Sequence, residues 1–148
     1  MARHNQNGAA VVEFAVVLPL LLLIVFGIIE FGFLMYNQAM LTNASREGAR
    51  AGIVARSPRR STAEIRTIVQ TYCSDYLVTF RSGADPGPQI TVKKNGTVAD
   101  PSTAGLLSAQ DYLTVEVQYA YDFLIIPRFV GNLGLQKTLF ASATMRAE

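Results

Sequence analysis

Residues 8–36 read GAAVVEFAVVLPLLLLIVFGIIEFGFLMY, and this stretch decides the fold of the chain. From Phe14 to Ile29 every residue is apolar or small, and about 20 such residues suffice for a helix that crosses a membrane. The stretch is long enough if Glu13 lies at one boundary and Glu30 near the other. Its apolar core is too long for a cleaved secretory signal, so a retained membrane helix is predicted, with Pro19 inside it.

Glu13 is an acid at the mouth of this apolar segment. An ionised carboxylate at the centre of a bilayer costs about 2.5 kcal/mol or more, so an acid in a membrane segment calls for a partner or a function. The alternative is that Glu13 lies at the membrane interface, where a charge at the end of the helix is tolerated. Spacing alone leaves both interpretations open. Glu30 is a second candidate acid at the membrane edge.

The remaining composition describes one small soluble domain. The chain has 148 residues and a net charge of +2, which is too close to neutral for bulk electrostatics to favour binding to nucleic acid. Basic residues do gather locally, at Arg46, Arg50, Arg56, Arg59 and Arg60. No aromatic residue interleaves them for base stacking, so a solvated helix face and linker is the favoured interpretation. Contact with an anionic lipid surface is the alternative.

Residue types that carry chemistry are scarce. Cys73 is the only cysteine, which excludes an intrachain disulfide and a zinc site built on thiolate pairs. The only histidine, His4, precedes the membrane segment. We therefore predict no catalytic residue, no metal site and no cofactor, and an enzyme is disfavoured. Cys73 is interpreted as a small buried hydrophobe.

Helical signals continue beyond the membrane segment to about Ala55. A helix of about 47 residues from Ala9 would extend roughly 70 Å and protrude from the bilayer. Glycine costs up to about 1 kcal/mol in a helix interior, so Gly48 and Gly52 require compensation from close packing. With Ala44 they form a small-residue stripe, for which contact with the chain's own domain is favoured over contact with another subunit. Gly27 and Gly32 could meet a neighbouring transmembrane helix in the same way.

The domain after the long helix begins with a second helix. Pro58 disfavours helical geometry in the preceding residue, and the capping box from Ser61 to Glu64 opens the new helix. Its apolar face continues to about Arg81, before Gly83 ends it.

Alternating residues then predict a small antiparallel sheet. Ile90–Val92 and the Asn95-Gly96 turn signal form its first part, and the match of Asn95-Gly96-Thr97 to a glycosylation sequon is attributed to chance. Two further strands are predicted at 113–123 and 139–145. The predicted fold class is α+β, with about three strands packed against two helices. Residues 124–130 are either a short buried helix or an exposed apolar patch, and Asp111, Glu116 and Asp122 are interpreted as a solvated edge.

The N-terminal motifs together resemble a known family. A short polar leader that ends in Gly8, followed by four residues and Glu13-Phe14, resembles the prepilin signal of type IV pilins. The first 55 or so residues are similar to the TadE-like family of tight-adherence (Flp) pilus systems. The further motifs that carry this resemblance are Leu18-Pro19-Leu20, Phe26-Gly27-Ile-Ile-Glu30-Phe31-Gly32 and Asn43-Ala-Ser-Arg46-Glu47-Gly48-Ala49-Arg50.

The resemblance implies processing and assembly. A prepilin peptidase would cut after Gly8 and leave Ala9 as the new N-terminus, with Glu13 as its fifth residue. The Glu13 carboxylate would then neutralise the new amine, within one subunit or between subunits. Phe14 stands where many major Flp pilins have tyrosine, which fits a minor pilin or pseudopilin.

The residue patterns and the resemblance together divide the chain, and the resemblance suggests partners. The ranges are a leader at 1–8, a transmembrane helix at 9–36, the outer half of the helix at 37–56 and a small α+β domain at 57–148. The expected partners are a prepilin peptidase, other pilin or pseudopilin subunits, an assembly platform in the bacterial inner membrane and membrane lipid, but no nucleic acid. The domain would lie outside the cytoplasm. The alternative function is an unprocessed single-pass binding module that the helix tethers to the membrane.

Overall fold

The computed structural model has an α+β fold, as the alternation of apolar residues predicts: two helices cover one face of a four-stranded antiparallel sheet. The residues that the structure describes are 6–55, 59–80, 85–99, 107–108, 110–124 and 136–147. Pro58, Gly83 and most of the apolar connection at 124–130 lie outside these ranges, so the predictions made for them stay predictions.

Helix α1, Gln6–Ile53, is the longest element at 48 residues. Its residues from Gly8 onward form the one helix in the described part of the chain that is long and apolar enough to cross a membrane. The first half is exposed, whereas Leu41, Ala44 and Ala49 in the second half are fully buried. The second half thus belongs to the core of the domain, and the apolar first half projects from it.

Helix α1 lies over the last two strands of the sheet in chain order and runs antiparallel to the first of these two. Glu30 meets Tyr121, whereas Gly52 lies against Leu113, so the chain directions of α1 and of the strand that holds these two residues are opposed. The core between the helices and the sheet is apolar and closely packed. Its fully buried members include Leu41, Ile65, Val69, Val92, Leu113, Val115 and Val117.

Helix α2, Thr62–Tyr76, begins with the predicted capping box. The backbone N–H of Ser61 donates to Glu64 Oε2 at 2.7 Å, and the Glu64 N–H donates to Ser61 Oγ at 3.2 Å. The predicted end near Arg81 is wrong, because the chain becomes extended at Leu77. Both backbone groups of Val78 bind the side chain of Asn37 instead of continuing the helix.

The sheet has the order β2-β1-β3-β4. Its strands are β1, Gln89–Lys94, β2, Thr97–Val98, β3, Tyr112–Asp122, and β4, Gln136–Arg146. Asn95 and Gly96 have φ angles of 49° and 85°, as a type I′ turn between β1 and β2 requires. The alternation predicted for β3 is confirmed, since Leu113, Val115, Val117, Tyr119 and Tyr121 all face the core.

Asp111, Glu116 and Asp122 are half-buried and paired, and the predicted edge position is wrong, because Glu116 and Asp122 lie on a central strand and Asp111 directly precedes it. Strand β3 lies between β1 and β4, and its acids reach cations or amides on both neighbours. Lys93 Nζ lies 2.6 Å from Glu116 Oε1, and Gln136 donates to Asp122 at 2.9 Å. A hydrogen bond from Lys94, with others from Asn95 and the Ser108 N–H, lowers the pKa of Asp111 to about 2.

Candidate functional site

The N-terminal part of α1 presents Gly8, Ala9, Glu13 and Phe14 on an exposed helical surface. Within the described part of the chain, no residue forms a hydrogen bond or an ion pair with the Glu13 carboxylate. Ala9 and Glu13 are four residues apart, so they lie on the same face of α1 about one turn from each other. A charge at the amine of Ala9 would therefore be within reach of this carboxylate.

Glu30 has a different environment, although it lies on the same helix. It is 1% exposed and enclosed where α1 meets the end of β3. The Tyr121 hydroxyl donates to Glu30 Oε1 at 3.0 Å, and the backbone N–H of Leu124 donates to the same oxygen at 2.9 Å. Burial, and then the hydrogen bond to Glu30, raises the pKa of Tyr121, so its hydroxyl keeps its proton at neutral pH and serves as a donor.

Asn37 is a second buried polar residue on α1, about two turns above Glu30. Its Nδ2 donates to the carbonyl of Val78 at 2.8 Å, and its Oδ1 accepts from the N–H of Val78 at 2.9 Å. The Asn37 side chain thus binds both the N–H and the carbonyl of Val78, as the backbone of a neighbouring β-strand would. Sequence reasoning missed Asn37, and only its place on the buried face of α1 could have drawn attention to it.

The glycines singled out in the sequence fall into two groups. A Cβ atom at Gly48 would overlap with Val69, and one at Gly52 would overlap with Leu113 and lie 2.8 Å from Ile65 Cδ1. The second half of α1 therefore packs so closely against α2 and β3 that Gly48 and Gly52 leave no room for a side chain. Ala44 is buried on the same helix. At Gly27 and Gly32 a Cβ would meet no atom within 4 Å.

The remaining candidate groups that the structure describes, which exclude Arg56, show no arrangement for chemistry. Cys73 is buried, and this burial raises the pKa of its thiol to about 11, so it stays protonated at neutral pH. Arg46 and Arg50 are exposed on α1, and Arg60 donates to the carbonyl of Ala51 at 3.3 Å near the end of that helix. Among the described residues, no three His, Cys, Asp or Glu side chains come together as a metal site would require.

The fold and the exposed apolar half of α1 together define an α+β protein whose N-terminal helix suggests a membrane anchor. Residues 8–50 match the model of a family described as TadE-like protein, which confirms the resemblance drawn from the N-terminal motifs. The family is associated with tight-adherence pilus systems, and the match covers 43 of the 148 residues of this chain. No curated protein and no solved structure matches the chain.

Proposed function

We propose that this chain is a non-enzymatic, membrane-anchored minor pilin or pseudopilin that acts in the assembly of a Flp-type pilus. In this proposal a prepilin peptidase cuts after Gly8, and Glu13 neutralises the amine of Ala9 in the same or a neighbouring subunit. The new N-terminus would lie at the inner face of the cytoplasmic membrane, with the domain outside the cytoplasm. The expected partners are the peptidase, other pilin subunits and the assembly platform.

The observation that carries the proposal is the contrast between the two acids of α1. Glu30 is satisfied inside its own chain by Tyr121 and Leu124, whereas Glu13 is exposed on a helical surface that no described part of the domain covers. An acid at the edge of an apolar segment is stabilised by an opposite charge close by. The amine that cleavage would create lies one helical turn away and provides that charge.

Processing is tested directly at Gly8. In Gly8→Leu we expect the full-length chain to accumulate in the membrane, because a bulky side chain blocks access of the peptidase to the bond after residue 8. Intact-mass measurement of protein purified from membranes distinguishes the two forms, and wild-type chain should begin at Ala9. Gly27→Leu is the matched control, since Gly27 also has open space around it and lies far from the cleavage bond. Mature protein of normal mass from the Gly8→Leu chain would contradict the proposal.

The role of Glu13 is separable from processing. Glu13→Ala is expected to be cut normally but to reduce pilus assembly at least tenfold, because the amine of Ala9 then lies at the membrane edge without a counter-charge. Counting of surface pili by electron microscopy measures the loss, and Glu13→Asp should restore part of it. Wild-type piliation in Glu13→Ala would exclude the pairing. An uncut wild-type chain would instead support the tethered binding module.

A further inference from the structure

The exposed apolar surface of α1 continues into a groove at the base of the domain. The groove lies between α1 and the extended segment after α2, and it has a volume of about 350 Å³. Four of its residues, Ile29, Gly32, Phe33 and Tyr36, belong to α1, and Val78 forms the opposite wall. The lining is almost entirely apolar, and Gly32 leaves it open because a Cβ there would meet nothing within 4 Å.

The opposite wall of this groove is held in place by Asn37. The two hydrogen bonds from its buried side chain to Val78 fix the extended segment beside α1. Phe80 of the same segment packs edge-on against Phe33, with ring centroids 5.0 Å apart. The groove is therefore a defined part of the fold, since these contacts hold its two walls together.

In the membrane-anchored arrangement proposed above, the length of α1 places this groove at the surface of the bilayer. Glu13 has no shielding from the described residues, so the hydrocarbon core begins no earlier than Phe14. A core of about 30 Å takes about 20 helical residues, which brings its other boundary near Phe33. Glu30 then lies at the depth of the hydrocarbon. A carboxylate at this depth needs hydrogen-bond donors, and the Tyr121 hydroxyl and the Leu124 N–H provide them.

We propose that the groove binds the upper part of a phospholipid acyl chain, so that the domain is seated in the outer surface of the membrane that α1 crosses. Two observations favour lipid as the occupant: the groove continues the exposed apolar surface of α1, and its lining is almost entirely apolar. The position inferred above, across the hydrocarbon boundary, agrees with them. Tyr36, 41% exposed at its upper end, then lies at the headgroup level, where tyrosine is enriched in membrane proteins. The proposal rests on the membrane-anchored function proposed above.

Fluorescence quenching by brominated lipid tests this placement, because the chain contains no tryptophan. Single reporters are introduced as Tyr36→Trp in the groove, Phe26→Trp within the apolar half of α1 and Tyr112→Trp at the far end of β3. Each full-length variant is reconstituted in phosphatidylethanolamine–phosphatidylglycerol vesicles that carry bromine either near the top or near the end of the acyl chains. Thermal unfolding followed by circular dichroism verifies that each reporter leaves the fold intact.

We expect Tyr36→Trp to lose most fluorescence with bromine near the top of the chains and Tyr112→Trp to lose none with either lipid. Adding Gly32→Leu to Tyr36→Trp fills the groove and should markedly reduce the quenching, whereas Gly27→Leu, outside the groove, should leave it unchanged. Equal quenching with and without Gly32→Leu would overturn the proposal. So would quenching of Tyr36→Trp that disappears as the protein-to-lipid ratio rises, since another copy's helix would then fill the groove.

The Phe26→Trp reporter separates this proposal from the membrane anchor on which it rests. If Phe26→Trp is quenched by bromine deep in the bilayer and Tyr36→Trp is not quenched at all, the helix is inserted and the lipid groove is wrong. If Phe26→Trp is not quenched by either lipid, the membrane anchor itself is wrong.

Discussion

Replacing Glu30 with alanine should lower the free energy of unfolding of the domain by about 3 to 5 kcal/mol. The variant leaves the Tyr121 hydroxyl and the Leu124 N–H without their acceptor in a buried place, and each orphaned donor costs about 1 to 3 kcal/mol. The total free energy of unfolding of a small domain is only about 5 to 15 kcal/mol. Thermal unfolding of the full chain in detergent should therefore show a Tm more than about 10 °C below that of wild type.

Two controls isolate the buried contact from the loss of a negative charge. Glu13→Ala removes an exposed acid from the same helix and should change the unfolding free energy by less than about 0.5 kcal/mol. In a double-mutant cycle, Tyr121→Phe should be costly in the wild-type chain and nearly neutral in Glu30→Ala. A Glu30→Ala protein with the Tm of wild type would show that these hydrogen bonds contribute nothing to holding α1 on the domain.

Gly48→Leu should destabilise the domain by about 3 kcal/mol, because a side chain there must displace the core. Even a Cβ atom at this position would overlap with Val69, which is fully buried and, as a β-branched residue, has little rotamer freedom. Helix α1 would have to move away from α2 to admit the leucine. Chemical denaturation of the full chain, followed by circular dichroism, measures the loss.

The expected penalty at Gly48 depends on its neighbours and not on helix propensity. Gly27→Leu, at an open position of the same helix, should be neutral or slightly stabilising, since leucine is the better helix former. Val69→Ala should be less harmful when combined with Gly48→Ala than in the wild-type chain, because the new methyl group takes up part of the vacated space. Equal destabilisation at Gly48 and Gly27 would contradict close packing as the reason for the glycine.

Elements whose signal is local could be predicted from the sequence. The continuous apolar run predicts α1, the capping box at Ser61 and Glu64 predicts the start of α2, and strict alternation predicts β3 and β4. These patterns arise from interactions within one turn or from one repeating face. The N-terminal motifs likewise led to the family that residues 8–50 match.

Features that depend on distant parts of the chain escaped prediction. The apolar pattern continues to Phe80 and predicts an end of α2 near Arg81, whereas the helix ends at Tyr76. Asn37, 41 residues before Val78, binds the backbone of Val78 instead. The partners of Glu30 are 91 and 94 residues away. Both effects come from tertiary hydrogen bonds that override local propensity, and no pattern along the chain reveals them. The roles assigned to Gly8, Ala9 and Glu13 stay predictions.

Helix α1 lies lengthwise along β3, and this placement determines the direction in which tension acts on their contacts. A pull on the membrane end of α1 acts along the contact surface, so the helix must slide past the sheet before it can separate. The contacts at Glu30, Asn37 and Gly48 are spread over the second half of the helix. Such a pull loads them at the same time in shear, so they do not break one after another. A force that enters through the apolar helix is therefore shared by these contacts.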